Sequence, residues 1–475
     1  MQNIGKINTR ITDQALLELY GLIINLIKIP ESMELKSKLL SLSLLLAAGF
    51  SAQAEFKQFP DGSPVPAWFN DAHQPELNSL GKQYVVTEHG VVNDSTVIQT
   101  ERIQAVIDLA AQNGGGVVVI PEGTFLSGSL FFKPSTHLHL LKGGKLKGSD
   151  AITHYEIVKT RLEGQTLDYF AALINADNCN GFTITGEGTI DGNGHRFYDE
   201  FWLRRKVNKK CTNLEALRPR MVYISNSKDV TVGGVRMVNS GFWTNHLYNC
   251  ERVKYLGVTI LAPTDGYPKG PSTDAIDMDV CNDVLISQCY MNVNDDGVCL
   301  KGGKGTYVDT IPGNGPVTNV IIDRCTFGKT NAGVTFGSEA WDCSNVIMKD
   351  CKFEDTYHVL LFKMRPDTPQ QYRNVLIDGA TGRVRTALEV QTWRQFFNKV
   401  ERDPMPESGV DNVVFRNGHL ECTRDFYRQG QGDFYTLKNF IFRDIWATDP
   451  AGGAFDTSGI QDCIIQNVTI NDVKR

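Results

Sequence analysis

The stretch Asp283-Val284-Leu285-Ile286-Ser287-Gln288-Cys289 decides the fold, because the chain repeats its pattern. Most copies contain an Asn or Asp, a Val, an alternating apolar run, and a Cys or Val six positions after the start. A repeat of 23 to 38 residues predicts a solenoid. Short β-branched segments between Gly, Asn and Asp predict strands, so we expect an all-β chain folded as a parallel β-helix. The copies start at Asp229, Arg252, Asp283, Asn319, Asn345, Asn374, Asn412, Asn439 and Asp462.

The cysteines offer a second view of the same repeat. Cys289, Cys325 and Cys351 each lie six residues after a repeat start, so they are predicted to stack as a buried, unpaired ladder. The alternative is disulfide bonding, which the 11 cysteines would permit in an exported protein.

Composition narrows the class of protein. The chain has 475 residues, 41% of them hydrophobic, and a net charge of −6. These values are typical of a soluble globular protein with a large core. The negative charge argues against a nucleic-acid partner, and nothing in the composition indicates a membrane partner.

The N-terminal region predicts export. A short basic start after Met33, the apolar run 39–50 and Ala52-Gln53-Ala54 form the pattern of a secretory signal peptide, with a short buried helix as the alternative. We therefore expect 1–32 to be a mis-assigned upstream segment, 33–54 a signal peptide, 55–83 a lead-in and 84–475 the β-helix. The protein is then periplasmic or secreted.

A helix is expected at the N-terminal end of the coil. Thr96 is predicted as its N-cap, and 97–112 carries apolar residues at helical spacing before Gly114-Gly115-Gly116. Such a helix would cover the open end of the solenoid, and 117–120 would begin the first full turn.

Strand alternation brings several aspartates together. If Ile276, Met278 and Val280 point inward and Ile276 stacks on Val298, then Asp274 stacks on Asp296 about 4.8 Å away.

The same register continues into the next two coils. Val334 and Phe336 follow Val298 and Leu300, and Leu360 and Phe362 come next. The outer wall should then carry three aspartates with nearby polar and cationic side chains, namely Asp274, Asp295, Asp296, Asn331, Lys301, Lys363 and Arg365.

Three crowded carboxyls suit the hydrolysis of a glycosidic bond with inversion. One protonated carboxyl would protonate the leaving oxygen, and the others would activate water. Asp295, which lies on the other strand parity from Asp274 and Asp296, is the expected acid. Two alternatives stay open: an outward Asp ladder that only caps turns, and a calcium site.

These residues resemble the polygalacturonase family, glycoside hydrolase family 28, from Tyr84 to the C-terminus. The resemblance rests on Ser272-Thr273-Asp274, on Asp295-Asp296 and on Lys363, against family patterns of Asn-Thr-Asp, Asp-Asp and Arg-Ile-Lys. It implies a right-handed parallel β-helix, with Asp295 as general acid and Asp274 and Asp296 as the pair that activates water.

The chain departs from the family pattern at two further places. Asn331 stands where the resemblance places a histidine, and Leu361-Phe362-Lys363 replaces Arg-Ile-Lys. A Lys cannot replace the Arg of the family pattern, because the planar guanidinium of Arg binds a carboxylate with two hydrogen bonds. Arg365 could replace it, or the leaving sugar carries no carboxylate, as in rhamnogalacturonan. The predicted substrate-binding residues are Lys363, Arg365, Asn331, Lys301, His246 and Asp277.

The expected function is that of a secreted, monomeric glycosidase that cleaves pectic polysaccharide or oligogalacturonide without a metal or other cofactor. The alternatives are a rhamnogalacturonan hydrolase, a calcium-dependent pectate lyase, and a non-catalytic polysaccharide-binding β-helix. The sequence leaves endo or exo action open.

Overall fold

The computed structural model describes residues 55–264, 269–395, 400–430, 432–450 and 455–474. The predicted upstream segment 1–32 and signal peptide 33–54 lie outside the described residues. The following account concerns the unit Phe56–Arg475.

Within the described residues, parallel pairing joins most strands into three series, A, B and C, which form the walls of a parallel β-helix. Series A contains β1 (Gln83–Val85), β2 (Gly116–Ile120), β5 (Thr136–Leu140), β10 (Thr183–Gly186), β13 (Lys228–Gly233), β16 (Glu251–Leu256), β19 (Asn282–Ser287), β22 (Val317–Asp323), β25 (Asp342–Lys349), β27 (Gln371–Asp378) and β31 (Ile464–Ile470). Series B contains β3 (Gly123–Ser127), β6 (Gly144–Gly148), β11 (Thr189–Asp191), β14 (Arg236–Val238), β17 (Thr259–Ala262), β20 (Tyr290–Val293) and β23 (Thr326–Phe327).

Series C carries the predicted site. It contains β4 (Leu130–Phe132), β9 (Ile174–Asp177), β12 (Val222–Ser225), β15 (Asn245–Tyr248), β18 (Ile276–Asp279), β21 (Val298–Lys301) and β24 (Ala332–Phe336). In the later coils long strands run through the corners: β26 (Lys352–Met364), β28 (Thr381–Thr392), β29 (Ser408–Gln429) and β30 (Tyr435–Thr448). The prediction of a parallel β-helix is confirmed.

The residue that starts each repeat has a left-handed backbone. All nine starts have φ between 55° and 60°. Asn and Asp tolerate this conformation better than other residues that have a side chain, which explains why the repeat begins with them. Their side chains also connect adjacent coils, since Asn319 Nδ2 donates to Asp283 Oδ1 at 2.9 Å and Asn345 Nδ2 donates to Asn319 Oδ1 at 3.1 Å.

The core is one hydrophobic cluster that extends along the solenoid. Cys289, Cys325 and Cys351 belong to it and are free thiols with at most 2% exposure, so the prediction of an unpaired ladder is confirmed.

The N-terminal helix exists, but its start was predicted wrongly. Helix α1 spans Thr100–Gln112, and Gln99 precedes it as N-cap. Thr96 instead donates its hydroxyl to Asp94, and Ile98 forms a β-bridge with Leu126 that keeps the backbone extended before the helix. The buried face of α1 joins the core of the first coils, as expected for a cap. No helix in the described part of the chain is long and apolar enough to cross a membrane.

Three additions surround the coil. Phe56, Phe59 and Phe69 of the lead-in pack against Leu256 and Ile321 on the outer side of series A. Strands β7 (Ile157–Leu162) and β8 (Gln165–Phe170) form an antiparallel hairpin, and helix α2 spans His195–Val207.

The short strand β32 (Val473–Lys474) pairs antiparallel with β31. Short 3-10 helices occur at Ala67–Asn70, Leu77–Ser79, Val86–His89, Ile152–His154 and Val308–Thr310.

Candidate active site

The predicted register of the outer wall is confirmed. Ile276 pairs with Val298, Val298 with Val334, and Val334 with Leu360. One inward residue was predicted wrongly: Val280 is half-buried with φ 58°, and the next residue, Cys281, joins the core instead. The reason is that β18 ends at Asp279, so the alternation of faces stops at the corner.

The register gathers three carboxyls. Asp274, Asp295 and Asp296 each place an oxygen within 4.8 Å of the others. Asp274 and Asp296 are buried, whereas Asp295 is half-buried and faces the cleft. Both oxygens of Asp296 are occupied: Asn331 Nδ2 donates to Oδ1 and Lys363 Nζ donates to Oδ2, each at 2.6 Å.

These surroundings give the three carboxyls different proton affinities. Burial and the charge of Asp295 raise the pKa of Asp274 well above its usual value. Burial, together with the charge of Asp296, raises the pKa of Asp295 to about 6. Burial acts in the same direction on Asp296, but Lys363 and Asn331 outweigh it and hold the pKa of Asp296 below its usual value. The cluster therefore combines one ionised carboxylate with two carboxyls that retain protons more strongly than usual.

Two lysines and two tryptophans border the cluster. Lys363 Nζ lies 4.7 Å from the centre of the Trp393 ring, and Lys301 Nζ lies 4.5 Å from that of Trp243. Lys301 also lies 3.3 Å from Asp277 Oδ1 and 3.3 Å from Glu339 Oε2. Lys301 thus holds two acids of the wall in place.

The structure does not bring three of the predicted binding residues to the cleft surface. His246 is fully buried, with Nδ1 2.7 Å from Arg220 Nη1, and burial lowers its pKa to about 4. Asp277 is also fully buried, and burial raises its pKa to about 7 despite Lys301. Arg365 is 1% exposed and binds both oxygens of Asp367 at 2.8 Å.

The hairpin β7–β8 contributes to the burial of His246, because Arg220, which bonds to His246, also bonds to the hairpin. Arg161 of β7 binds Asp279 Oδ2 through Nε at 2.9 Å, and Arg220 Nη1 donates to the Arg161 carbonyl at 2.8 Å. Near the turn of the hairpin, Glu163 accepts a 2.8 Å hydrogen bond from Asn213. The hairpin therefore covers the outer face of series C and closes one side of the cleft.

Sequence reasoning missed several residues in and behind the cleft. His358 lies behind the cluster, with Nδ1 2.7 Å from the Asn331 carbonyl and Nε2 2.9 Å from Glu389 Oε2. The repeat register could have found it, since His358 pairs with Ala332 one coil below. The hairpin and α2 carry no such signal, because they lie outside the repeat. The cleft is lined by Glu163, Phe201, Trp202, Arg205, Asn213, Trp243, Lys269, Pro271, Ser272, Asp274, Asp295, Lys301, Ser338, Glu339, Lys363, Trp393 and Gln395.

Fold and site together define a β-helical protein whose acids and lysines are gathered on one wall, an arrangement suited to acid–base chemistry. The chain belongs to family 28 of the glycosyl hydrolases, whose model matches residues 126–375. The resemblance drawn from the aspartate motifs is thereby confirmed.

Individual relatives are distant. A probable polygalacturonase of Vitis vinifera is 29% identical over 264 residues, 54% of this chain and 51% of the relative. An exopolygalacturonase of Zea mays is 25% identical over 315 residues, 60% of this chain and 70% of the relative. The matched region thus spans about half the length of the grapevine relative and 70% of the length of the maize relative. The solved structure of an exopolygalacturonase from Thermotoga maritima shares the fold, with a TM-score of 0.68 at 19% identity over 86% of this chain and 95% of that one.

Proposed function

We propose that the protein hydrolyses α-linked galacturonic-acid-containing pectic glycans. One observation carries the proposal: Asp295, with a pKa raised to about 6, faces the cleft beside Asp296, which Lys363 holds ionised at 2.6 Å. A proton donor beside a carboxylate base is the requirement for cleaving a glycosidic bond. The names of the relatives supply the substrate class.

In the proposed reaction Asp295 gives its proton to the leaving glycosidic oxygen as the bond from that oxygen to the anomeric carbon breaks. A water oxygen bonds to the same carbon, and Asp296, next to Asp274, accepts the proton that this water loses. The products are a reducing sugar and a free hydroxyl. Asp296 then releases its proton to solvent and Asp295 takes one up, which restores the starting state.

We propose inversion rather than retention. A retaining enzyme needs a free carboxylate oxygen to form a covalent glycosyl intermediate. Asp296 has both oxygens hydrogen-bonded and is 1% exposed, which disfavours its direct attack on the sugar. The carboxyls are closer than the roughly 6.5–9.5 Å usual for inverting enzymes. Proton NMR of the first anomer released therefore tests this step separately: an inverted anomer supports it, and a retained anomer refutes it.

The hairpin supports attack at chain ends. We propose that the hairpin, held by the Arg161–Asp279 and Glu163–Asn213 contacts, stops the polysaccharide at this side of the cleft. Early digests of polygalacturonate should then contain monomers or dimers. A ladder of long oligomers from the start would show internal cleavage instead.

Rhamnogalacturonan is a second candidate substrate. Leu361 stands where the family pattern has Arg, and Lys363 is engaged by Asp296, so a carboxylate on the leaving sugar finds no free cation there. A neutral rhamnose would fit that position. Parallel digestion of polygalacturonate and rhamnogalacturonan, with products sized by mass spectrometry, separates the two candidates.

Export and a monomeric state are also proposals. Export rests on the basic and apolar pattern of 33–54, and fractionation of the producing cells would test it. The monomeric state rests on the helix that covers the end of the solenoid, and light scattering of the purified protein would test it.

The central test is Asp295→Asn, compared with Asp433→Asn at an exposed loop position. The first variant should lose roughly 10²–10⁴-fold in kcat on the active substrate, the usual contribution of a general acid, with an unchanged unfolding temperature. The second should behave as wild type. Full activity of Asp295→Asn would refute the assignment, and binding without any new reducing ends from the wild type would point to a non-catalytic β-helix.

A further inference from the structure

Helix α2 brings a cation into the cleft that the proposed reaction does not use. Arg205 lines the cleft together with Asp274 and Asp295. Its Nε is buried without a hydrogen-bond partner, and no ion pair involves it among the described residues. An unsatisfied buried donor is costly, so it marks a place where a ligand can supply the missing acceptor.

The neighbours of Arg205 increase the positive charge on this side. Its guanidinium carbon lies 5.0 Å from the centre of the Phe201 ring, and that of Arg218 lies 4.5 Å from the same ring. Lys269 also lines the cleft, and its carbonyl accepts a 2.8 Å hydrogen bond from Trp202 Nε1. Helix α2 and the segment at Lys269 thus present two cations and an indole to the same space.

The hairpin side of the cleft differs in charge, because acids line it. Glu163 and Glu339 line it, and the charge of Glu339, after burial, is the next cause that raises the pKa of Glu163. Lys304 Nζ lies 4.0 Å from Glu163 and Lys301 Nζ lies 3.3 Å from Glu339, so the cations on this side are already paired with acids. A uronate carboxylate is therefore attracted more strongly to the α2 side.

We propose that Arg205, assisted by Lys269, binds the carboxylate of a galacturonate residue in the cleft. The planar guanidinium offers Nε and a terminal nitrogen as a pair of donors, which matches the two oxygens of a carboxylate. Arg205 and Lys269 thus offer a carboxylate the positive charge that Leu361 cannot supply. This inference rests on the proposed function and adds a residue that recognises the negative charge of the substrate.

The experiment compares Arg205→Gln with Arg204→Gln in the full chain. Arg204 is the matched control because it lies on the same helix, is 44% exposed and binds Glu200 at 2.9 Å. Initial rates are measured with trigalacturonic acid and with its methyl ester. Arg205→Gln should lower kcat/KM on the acid by roughly 10–100-fold, mainly through KM, and lower it much less on the ester. Arg204→Gln should stay near wild type on both.

Unchanged kinetics of Arg205→Gln on the acid, or an equal loss on acid and ester, would overturn the inference. If the wild type releases no product from either substrate, the proposed function fails instead. The inference is then decided by calorimetry, in which trigalacturonic acid should bind wild type and Arg204→Gln but bind Arg205→Gln at least several-fold more weakly. Equal binding by all three proteins would refute it.

Discussion

Lys363 donates a 2.6 Å hydrogen bond to Asp296, although 67 positions separate the two residues in the chain. The bond spans two coils of the same wall and exists because the repeat register aligns β21, β24 and β26. It keeps one carboxyl of a crowded cluster ionised, and the division of proton roles among the three aspartates depends on it.

Replacing Lys363 with Met should therefore have two effects. The pKa of Asp296 should rise, so the acidic limb of the pH profile should move to higher pH and kcat/KM should fall by 10²-fold or more, an order typical of losing a base. Breaking a buried ion pair should also lower the free energy of unfolding by about 3–5 kcal/mol. Lys352→Met is the control, because Lys352 lies on the same strand but is exposed and binds only Glu354 among the described residues. An acidic limb that does not move would contradict the role given to Lys363.

The pH dependence should have a basic limb near pH 6. Asp295 must be protonated to act as the acid, and its pKa is raised to about 6, so kcat/KM should be high below that pH and decline above it. The measurement is kcat/KM from pH 3 to 8 at constant ionic strength. A rate that keeps rising through pH 7 would exclude Asp295 as the acid.

His358 should act as a positioning residue. Its Nδ1 donates to the Asn331 carbonyl, and the Asn331 amide in turn binds Asp296. His358→Phe removes the donor, so kcat should fall by roughly tenfold, with little change in KM and with the acidic limb at higher pH. His358→Asn keeps a donor near the Nδ1 position and should restore most of the activity. Equal losses in both variants would indicate a merely structural role.

Chelators should leave the activity unchanged. The oxygens of Asp274, Asp295 and Asp296 are close enough to bind a cation, but the Lys363 ammonium already occupies Asp296 Oδ2. Rates with EDTA and with added calcium should agree, and no product should show the absorbance of an unsaturated uronate. Loss of activity in EDTA with recovery in calcium would favour a lyase.

Sequence reasoning predicted the parts of the site that belong to the repeat. The alternation of Ile276 with its neighbours and the spacing to Val298 were enough to stack Asp274 on Asp296, because each coil repeats the same geometry. It failed where a segment outside the repeat decides exposure. His246 and Asp277 were predicted to bind substrate but are fully buried, and at His246 the hairpin β7–β8 contributes through Arg220. No periodic signal shows where a hairpin will pack.

The left-handed backbone at the nine repeat starts, eight of which are Asn or Asp, has a consequence for how such a chain can change. Since these coils begin from the same backbone geometry, residues inserted between two starts do not disturb the alignment of the coils that follow. The spacing of the starts already varies from 23 to 38 residues in this chain. Loops around the cleft can therefore lengthen or shorten independently, and new substrate preferences can arise while the stacked aspartates keep their positions.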